Sequence, residues 1–218
     1  VMENRFLLHV EWAQLGVDSG GPGRHRGGLG MRRALRLTRG TAAYSLLSDG
    51  AIMPPFGIHG GETGAPVDCY VMKADGSEHH FSSPGKVGGY PITENDTVIL
   101  QSAAGGGYGD PLTREPEAVL TDLINGLVSP EIAEEIYGVR LNDAGEVDDA
   151  LTESRRAELL KSRPSVRVVA LDHDPYTASG PSKRRLIRLN PIDIKAYGLA
   201  ADQKIELLDI LGPPLRGW

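Results

Sequence analysis

Residues 102–110, SAAGGGYGD, place three consecutive glycines after an apolar run and close them with a Tyr-Gly-Asp turn. Unhindered amides in such a run could cradle a phosphate if a helix N-terminus followed at once. Here helical patterning starts only near Thr113, after Asp110-Pro111, and no Lys-Ser or Lys-Thr pair follows the glycines. The spacing matches neither a Walker loop nor G-x-G-x-x-G. The alternative reading is architectural. Gly105, Gly106, Gly107, Tyr108, Gly109 and Asp110 would then form a turn whose backbone passes close to another backbone, with positive φ at one or more positions.

Other residues of chemical promise are scattered. Arg24, His25 and Arg26 stand between glycine pairs in DSGGPGRHRGGLG (18–30). Their amides and cations could hold an anion, or form a solvated basic loop. His59, beside Gly60 and Gly61, could serve as a general base or ligand. His79 and His80 are adjacent, so in a strand they face opposite sides and do not chelate as a pair. No metal site is expected within this chain. Cys69 is the single cysteine, which allows neither an intrachain disulfide nor a thiolate cluster and suits a reducing, cytoplasmic compartment. No G-x-S-x-G elbow occurs. By residue chemistry alone, the sequence shows no complete active site.

The elements that must position these residues divide by composition. A net charge of −6 argues against a nucleic-acid binder. No stretch reaches 18 uninterrupted apolar residues, and VMENRFLLHVEW carries charges where the apolar part of a secretory leader would sit. Of the 28 glycines, 21 fall in residues 1–115, mixed with β-formers, which reads as tight turns between short strands. Strands are expected around Phe6–Trp12, over Met31–Leu37, in TAAYSLLSD (41–49) and in DTVILQSA (96–103). VDCYVMKADGSEHHF (67–81) reads as a hairpin whose Asp75-Gly76 pair favours a primed turn.

After Pro111 the period becomes helical. In TREPEAVLTDLING (113–126), Ala118, Val119 and Leu123, with Leu127 beyond it, share a face and Gly126 ends the run. SPEIAEEIYG (129–138) begins with Ser129 as N-cap and Pro130 at the first helical position, and stops at Gly138. VDDALTESRRAELLKSR (147–163) is a third helix, broken by Pro164. VRVVAL, RLIRL and the capped helix NPIDIKAYG suggest a small α/β tail. The expected class is α+β. Its parts are a β-rich portion with long glycine loops over 1–115, a helical segment over 116–163 and an α/β appendage over 164–218.

Four blocks taken together resemble the C-terminal part of the hydantoinase B / 5-oxoprolinase family. They are DSGGPGRHRGGLGMRR, SLLSDGAIMPPFGIHGGETGAP, SPGKVGGYPITENDTVILQSAAGGGYGDPLTREPEAV and GLVSPEIAEEIYGV, in that order. The resemblance implies a portion of an ATP-dependent cyclic-amide hydrolase, in a hetero-oligomer with a hydantoinase A-type ATP-binding subunit and the remaining hydantoinase B-like portion. It equally implies kinship with ketone carboxylases of the acetone and acetophenone type, and leaves open a non-catalytic assembly subunit. ATP and a divalent metal are then expected on partner subunits, with a small-molecule substrate and no nucleic acid or membrane as partner. The isolated chain is expected to be inactive. Positions matching the shared blocks include Asp18, Arg24, Arg26, Ser48, Asp49, Pro54, Pro55, Gly57, Gly60, Gly61, Gly105 to Gly107, Tyr108 and Asp110. His59 is a further candidate. None of them carries an assigned chemical step.

Overall fold

The computed structural model describes residues 2–163, 194–195, 198–199, 205–207 and 215–217. The strands expected at 166–171 and 185–189, and most of the helix expected at 190–198, lie outside the described residues.

An α-helical turn, α1 (Met2–Arg5), leads into β1 (Leu8–Leu15), β2 (Met31–Leu37), β3 (Thr41–Leu47), β4 (Asp68–Met72), β5 (Glu78–His80), β6 (Lys86–Thr93) and β7 (Thr97–Gln101). Five strands form an antiparallel sheet in the order β1-β2-β7-β4-β5, and β3 pairs with β6 in a separate ribbon. The class is α+β, as expected. β7 is the central strand, and Val98 and Ile99, on its opposite faces, are both buried. The β3–β6 ribbon covers one face. Leu37, Val71, Ile92 and Val98 form the core between the layers, with Tyr44, Phe81 and Tyr90 packed against it. His79 stacks on Tyr90 (ring centroids 4.5 Å apart) and His80 on Tyr70 (4.9 Å), so the two imidazoles do point to opposite faces.

Three local expectations shift. β1 starts two residues later than the strand expected from Phe6. The turn of α1 occupies the preceding chain, and Glu3 Oε1 accepts the Val10 N–H at 2.9 Å. β6 was not legible, because Gly88, Gly89 and Pro91 interrupt it. A two-stranded ribbon consists of edges, where proline costs no ladder bond, and Gly89 (φ 62°) sits at the register shift between Tyr44 and Leu46. The β4–β5 hairpin does form, but only Gly76 (φ 85°) has positive φ. The connection is therefore a longer loop with one left-handed glycine, not a two-residue primed turn.

The loop before β7 is fastened by Asp96, which is 1% exposed. Its carboxylate accepts from Lys73 Nζ (2.9 Å), the N–H groups of Ala74 (3.1 Å) and Thr93 (2.8 Å), and Thr93 Oγ1 (3.1 Å). Burial by itself would raise its pKa, but these bonds outweigh burial and hold it below the ordinary value of 3.8. A depressed folded pKa contributes stability above the unfolded pKa, and that stability is lost as pH falls through the folded value. Asp96→Asn is thus expected to cost about 2 kcal/mol at pH 7. The gap from wild type should close below pH 3.8. Urea unfolding at pH 7 and at pH 3 checks this; a gap of equal size at both would refute it.

Past a 3-10 turn (Pro111–Thr113) come α2 (Pro116–Ile124), α3 (Pro130–Glu135) and α4 (Asp149–Ser162). The signals read from sequence hold at α3 and at the C-terminal glycines: Ser129 Oγ accepts the Ile132 N–H (3.2 Å), and Gly126 and Gly138 take φ of 65° and 64°. α2 starts at Pro116, later than the helix expected from Thr113, because residues 111–113 take the 3-10 turn, and α4 is capped by Asp148, whose Oδ1 accepts the Leu151 N–H (2.9 Å), a cap not read from the sequence. Val119, Val128, Ala133, Tyr137 and Val139 form a core of their own. β8 (Ile205–Leu207) and β9 (Leu215–Gly217) pair antiparallel.

Candidate functional site

Three glycine-rich segments, 19–30, 54–66 and 102–109, run against one another and trade backbone hydrogen bonds. Gly21 N–H donates to Gly105 O (2.8 Å), Gly105 N–H to Gly28 O (2.8 Å), Gly107 N–H to Glu62 O (2.9 Å) and Ile58 N–H to Gly107 O (3.0 Å). Glu62 N–H reaches Pro22 O at 2.7 Å. The segments thus replace water for each other as ladder partners, without being strands of the sheets.

At several of their glycines the packing leaves no space for a side chain. A Cβ on Gly106 would lie 1.9 Å from Phe56 O, on Gly107 2.0 Å from Pro22 O, on Gly27 2.0 Å from Gly105 O and on Gly61 2.2 Å from Gly107 O. The neighbours are backbone, which cannot swing aside. Within 105–109, positive φ is confined to Gly109 (74°). Close approach therefore explains Gly105, Gly106 and Gly107, whereas left-handed geometry explains Gly109 and Gly60 (φ 88°).

The run does not fit a phosphate cradle. The amides of Gly105, Gly107, Tyr108 and Gly109 are committed to the carbonyls of Gly28, Glu62, His25 and Ile58. The amides of Gly21, Arg24, His25 and Gly27 are spent in the same way. Among the described residues no group of three or more His, Cys, Asp or Glu side chains is placed to hold a metal ion, and no helix is long and apolar enough to cross a membrane.

Several site candidates fasten this bundle to the helices. Asp18, at φ 61°, accepts the Ser129 N–H through Oδ1 (2.8 Å), and its own N–H donates to Leu127 O (3.2 Å). Arg26 donates to Asp122 through Nε (2.9 Å) and Nη2 (3.2 Å), and Arg114 Nη2 reaches the same carboxylate at 2.8 Å. The Asp122 hydrogen bonds hold the Arg26 guanidinium above its ordinary pKa. Asp110 caps the 3-10 turn through Leu112 N–H (2.9 Å) and takes both Nη groups of Arg163 (2.5 and 2.6 Å). Burial would raise the Asp110 carboxyl, but the Arg163 and Leu112 bonds outweigh burial and lower it.

Residues 24–25, 59 and 108 meet at one end of the bundle. The Tyr108 backbone exchanges hydrogen bonds with His25 (2.9 Å each way). The exposed Tyr108 ring lies 5.1 Å from His59, edge-on, and 6.0 Å from His25. His59 has φ 53°, a conformation that costs energy for a residue bearing a Cβ. The Arg24 backbone is held by Gly109 O (3.0 Å) and its carbonyl by Arg114 Nη1 (3.2 Å). Asp49 takes no part in these contacts; it is exposed and pairs with Lys86 Nζ at 3.1 Å.

The sequence reading missed Arg114, Asp122, Arg156 and Arg163. Arg156 donates to Tyr137 O (3.0 Å) and Arg114 O (2.7 Å). One signal was available: Asp122 stands three residues after Val119, on the apolar face of α2, where a carboxylate requires a cation.

A sequence model of hydantoinase B/oxoprolinase matches residues 1–111, the β body together with the whole glycine bundle. The chain belongs to this family. It is 32% identical over 164 residues to the caprolactamase subunit beta of Pseudomonas jessenii, covering 72% of this chain and 27% of that one. The crystal structure of the ATP-dependent caprolactamase from the same organism superposes with TM-score 0.59 at 30% identity, over 72% of this chain and 27% of that chain. The nucleotide-free acetone carboxylase structure superposes with TM-score 0.63 at 25% identity, over 76% of this chain and 26% of that chain. The chain spans about a quarter of the length of the relatives it matches. This hydantoinase B-type chain thus shares the bundle-bearing quarter of much larger proteins.

Proposed function

We propose that this chain is part of a hydantoinase B-type component of an ATP-dependent cyclic-amide hydrolase, working in a hetero-oligomer with a hydantoinase A-type ATP-binding subunit. The carrying observation is the family match over residues 1–111, which takes in the entire glycine bundle. The similarity to an ATP-dependent caprolactamase supports a lactam-type substrate, since a caprolactam is a cyclic amide. The spent amides of the bundle support placing ATP on the partner, where a divalent metal would accompany the nucleotide phosphates. Phosphorylating an amide oxygen would turn a poor electrophile into a competent one, and the complex would then position water against it.

Within that reading, the exposed end carrying Arg24, His59 and Tyr108 borders the reaction chamber, and Asp18, Arg26 and Asp110 act by bracing the bundle. His59→Asn keeps a residue that tolerates the left-handed conformation and removes the imidazole. It is expected to lower turnover of the assembled complex at least tenfold while its melting temperature stays at the wild-type value. Unchanged turnover would remove His59 from the chamber.

The acetone carboxylase superposition favours a second reading, part of an ATP-dependent ketone carboxylase. The deciding experiment co-expresses the chain with an A-type subunit and the remaining B-type portion. The complex is then assayed for ATP-dependent opening of caprolactam, hydantoin and 5-oxoproline beside bicarbonate-dependent carboxylation of acetone. Ring opening supports the first reading, and carboxylation alone supports the second. The isolated chain is expected to do neither.

A further inference from the structure

A cleft of about 240 Å³ lies between α2, α3 and the chain just after α3. Its floor is the helical core, through the buried Val119, Ala133 and Val139, and Leu120 and Leu123 of α2 wall it. It stays open because α3 is six residues long and its buried contact is the small Ala133. Leu120 and Leu123 are accordingly left half-buried. The interior is apolar.

The rim is not. Glu134 and Arg140 line the same cleft and pair with each other. Their side chains are 46% and 42% exposed, so the pair is a hydrated rim and not a buried bridge. The bond between them uses Glu134 Oε1 and Arg140 Nη1. Glu134 Oε2 and Arg140 Nη2 have no hydrogen-bond partner among the described residues. Arg140 is also firmly mounted. Its N–H donates to Thr152 Oγ1 (3.0 Å), its carbonyl accepts the Asp148 N–H (2.9 Å), and the preceding Val139 N–H donates to Ala133 O (2.9 Å). A rim held in this way needs little ordering when a ligand arrives.

The rim selects the ligand's polar group. A carboxylate would meet Glu134 and an ammonium would meet Arg140, so either charge is opposed. An uncharged group with a donor beside an acceptor satisfies both, and a secondary amide is such a group. An open-chain amide is trans and points its N–H and C=O in opposite directions. In a small ring the amide is held cis, and N–H and C=O leave from one edge, as the neighbouring Oε2 and Nη2 require. Size agrees with a ring. A dry cavity of about 150 Å³ holds benzene, so the cleft admits a ring of about seven atoms.

We propose that this cleft binds a small apolar cyclic amide, with its amide edge on Glu134 and Arg140 and its hydrocarbon ring against Val119, Leu123 and Val139. The site lies outside the glycine bundle and beyond residues 1–111, the span of the family match. The ligand class follows from the rim and the volume; that it is also a substrate of the assembled complex rests on the reading proposed above.

The test follows backbone amide NMR shifts of the full 218-residue chain during titration with caprolactam. Shifts are expected at Leu120, Leu123 and residues 139–141, with a Kd on the order of 1 mM for so small a ligand. N-methylcaprolactam lacks the donor, and N-ethylbutanamide is an open-chain amide of the same carbon count; both are expected to bind at least tenfold more weakly. Glu134→Gln keeps an acceptor and should stay within threefold of wild type, whereas Glu134→Leu should weaken binding at least tenfold. Leu123→Trp fills the cleft and should remove the shifts. The proposal is overturned if caprolactam leaves these amides unmoved at about ten times that concentration, if N-ethylbutanamide or hexanoate binds as tightly, or if Glu134→Leu binds like wild type. An assembled complex that opens lactams while this cleft stays empty would sink the cleft and spare the catalytic reading. A cleft that fills in a complex without ring opening would do the reverse.

Discussion

Gly106→Ala is expected to lower the melting temperature of the chain by about 10 °C or more, and Gly28→Ala to leave it within about 2 °C. The pair is matched, since both glycines belong to the same bundle. A Cβ at residue 106 would meet Phe56 O at 1.9 Å and the Phe56 carbonyl carbon at 2.3 Å, whereas nothing lies within 4 Å of the corresponding position at residue 28. Backbone atoms at such distances must separate by more than an ångström, and the three nearest atoms are all backbone, so no soft side chain absorbs the shift. Moving the segment also strains the bonds from Gly105 N–H and Gly107 N–H on either side. Each buried bond lost costs about 1–3 kcal/mol, and about 4 kcal/mol in a chain of this size is on the order of 10 °C. Gly106→Val adds bulk and should prevent soluble folding. The contrary result is equally clear. If Gly106→Ala melted like wild type and its assembled complex turned over slowly, the glycine would be lining a reactive cavity and the structural account would fail.

Asp122→Ala is expected to cost about 3–5 kcal/mol, because it strands two guanidinium groups in a poorly solvated seam. Asp122 is 10% exposed at its side chain, Arg26 15% and Arg114 13%. With so little water, the carboxylate supplies most of the compensation both cations have. Its removal also severs the bundle from α2, since Arg26 belongs to the first glycine segment. The Asp110–Arg163 pair is more exposed, 42% at the arginine, and Arg163→Ala is expected to cost only about 1 kcal/mol. Replacing Arg26, Asp122 and Arg114 together by Met, Leu and Met should recover much of the loss, because no charge is then left buried. Urea unfolding of the three variants decides the matter; a cost below about 1 kcal/mol for Asp122→Ala would mean that water already serves the two arginines.

The local elements were largely legible in the sequence. β2 coincides with the expected Met31–Leu37, and Ser129, Pro130, Gly126 and Gly138 mark helix ends where the structure has them. These features depend on period-two or period-3.6 burial and on caps, which act over three or four residues. β6 escaped because its glycines and Pro91 are tolerable only on an edge, and edge position is a property of the sheet, not of the segment.

The four sequence blocks were enough to point to the family, since their order along the chain is itself information. They could not say what their glycines do. Whether Gly106 meets solvent, a phosphate or a carbonyl depends on residues 50 positions away, and Phe56 is the residue it meets. In the same way, Arg24, Arg26 and Asp110 were equivalent candidates in the sequence. Only the packing divided them, burying the Arg26 charge against Asp122 and pairing Asp110 with Arg163, while leaving His59 and Tyr108 at the open end. The physical reason is the range of the forces: propensity and capping are local, but close approach and ion pairing are fixed by whichever distant segment the fold brings alongside.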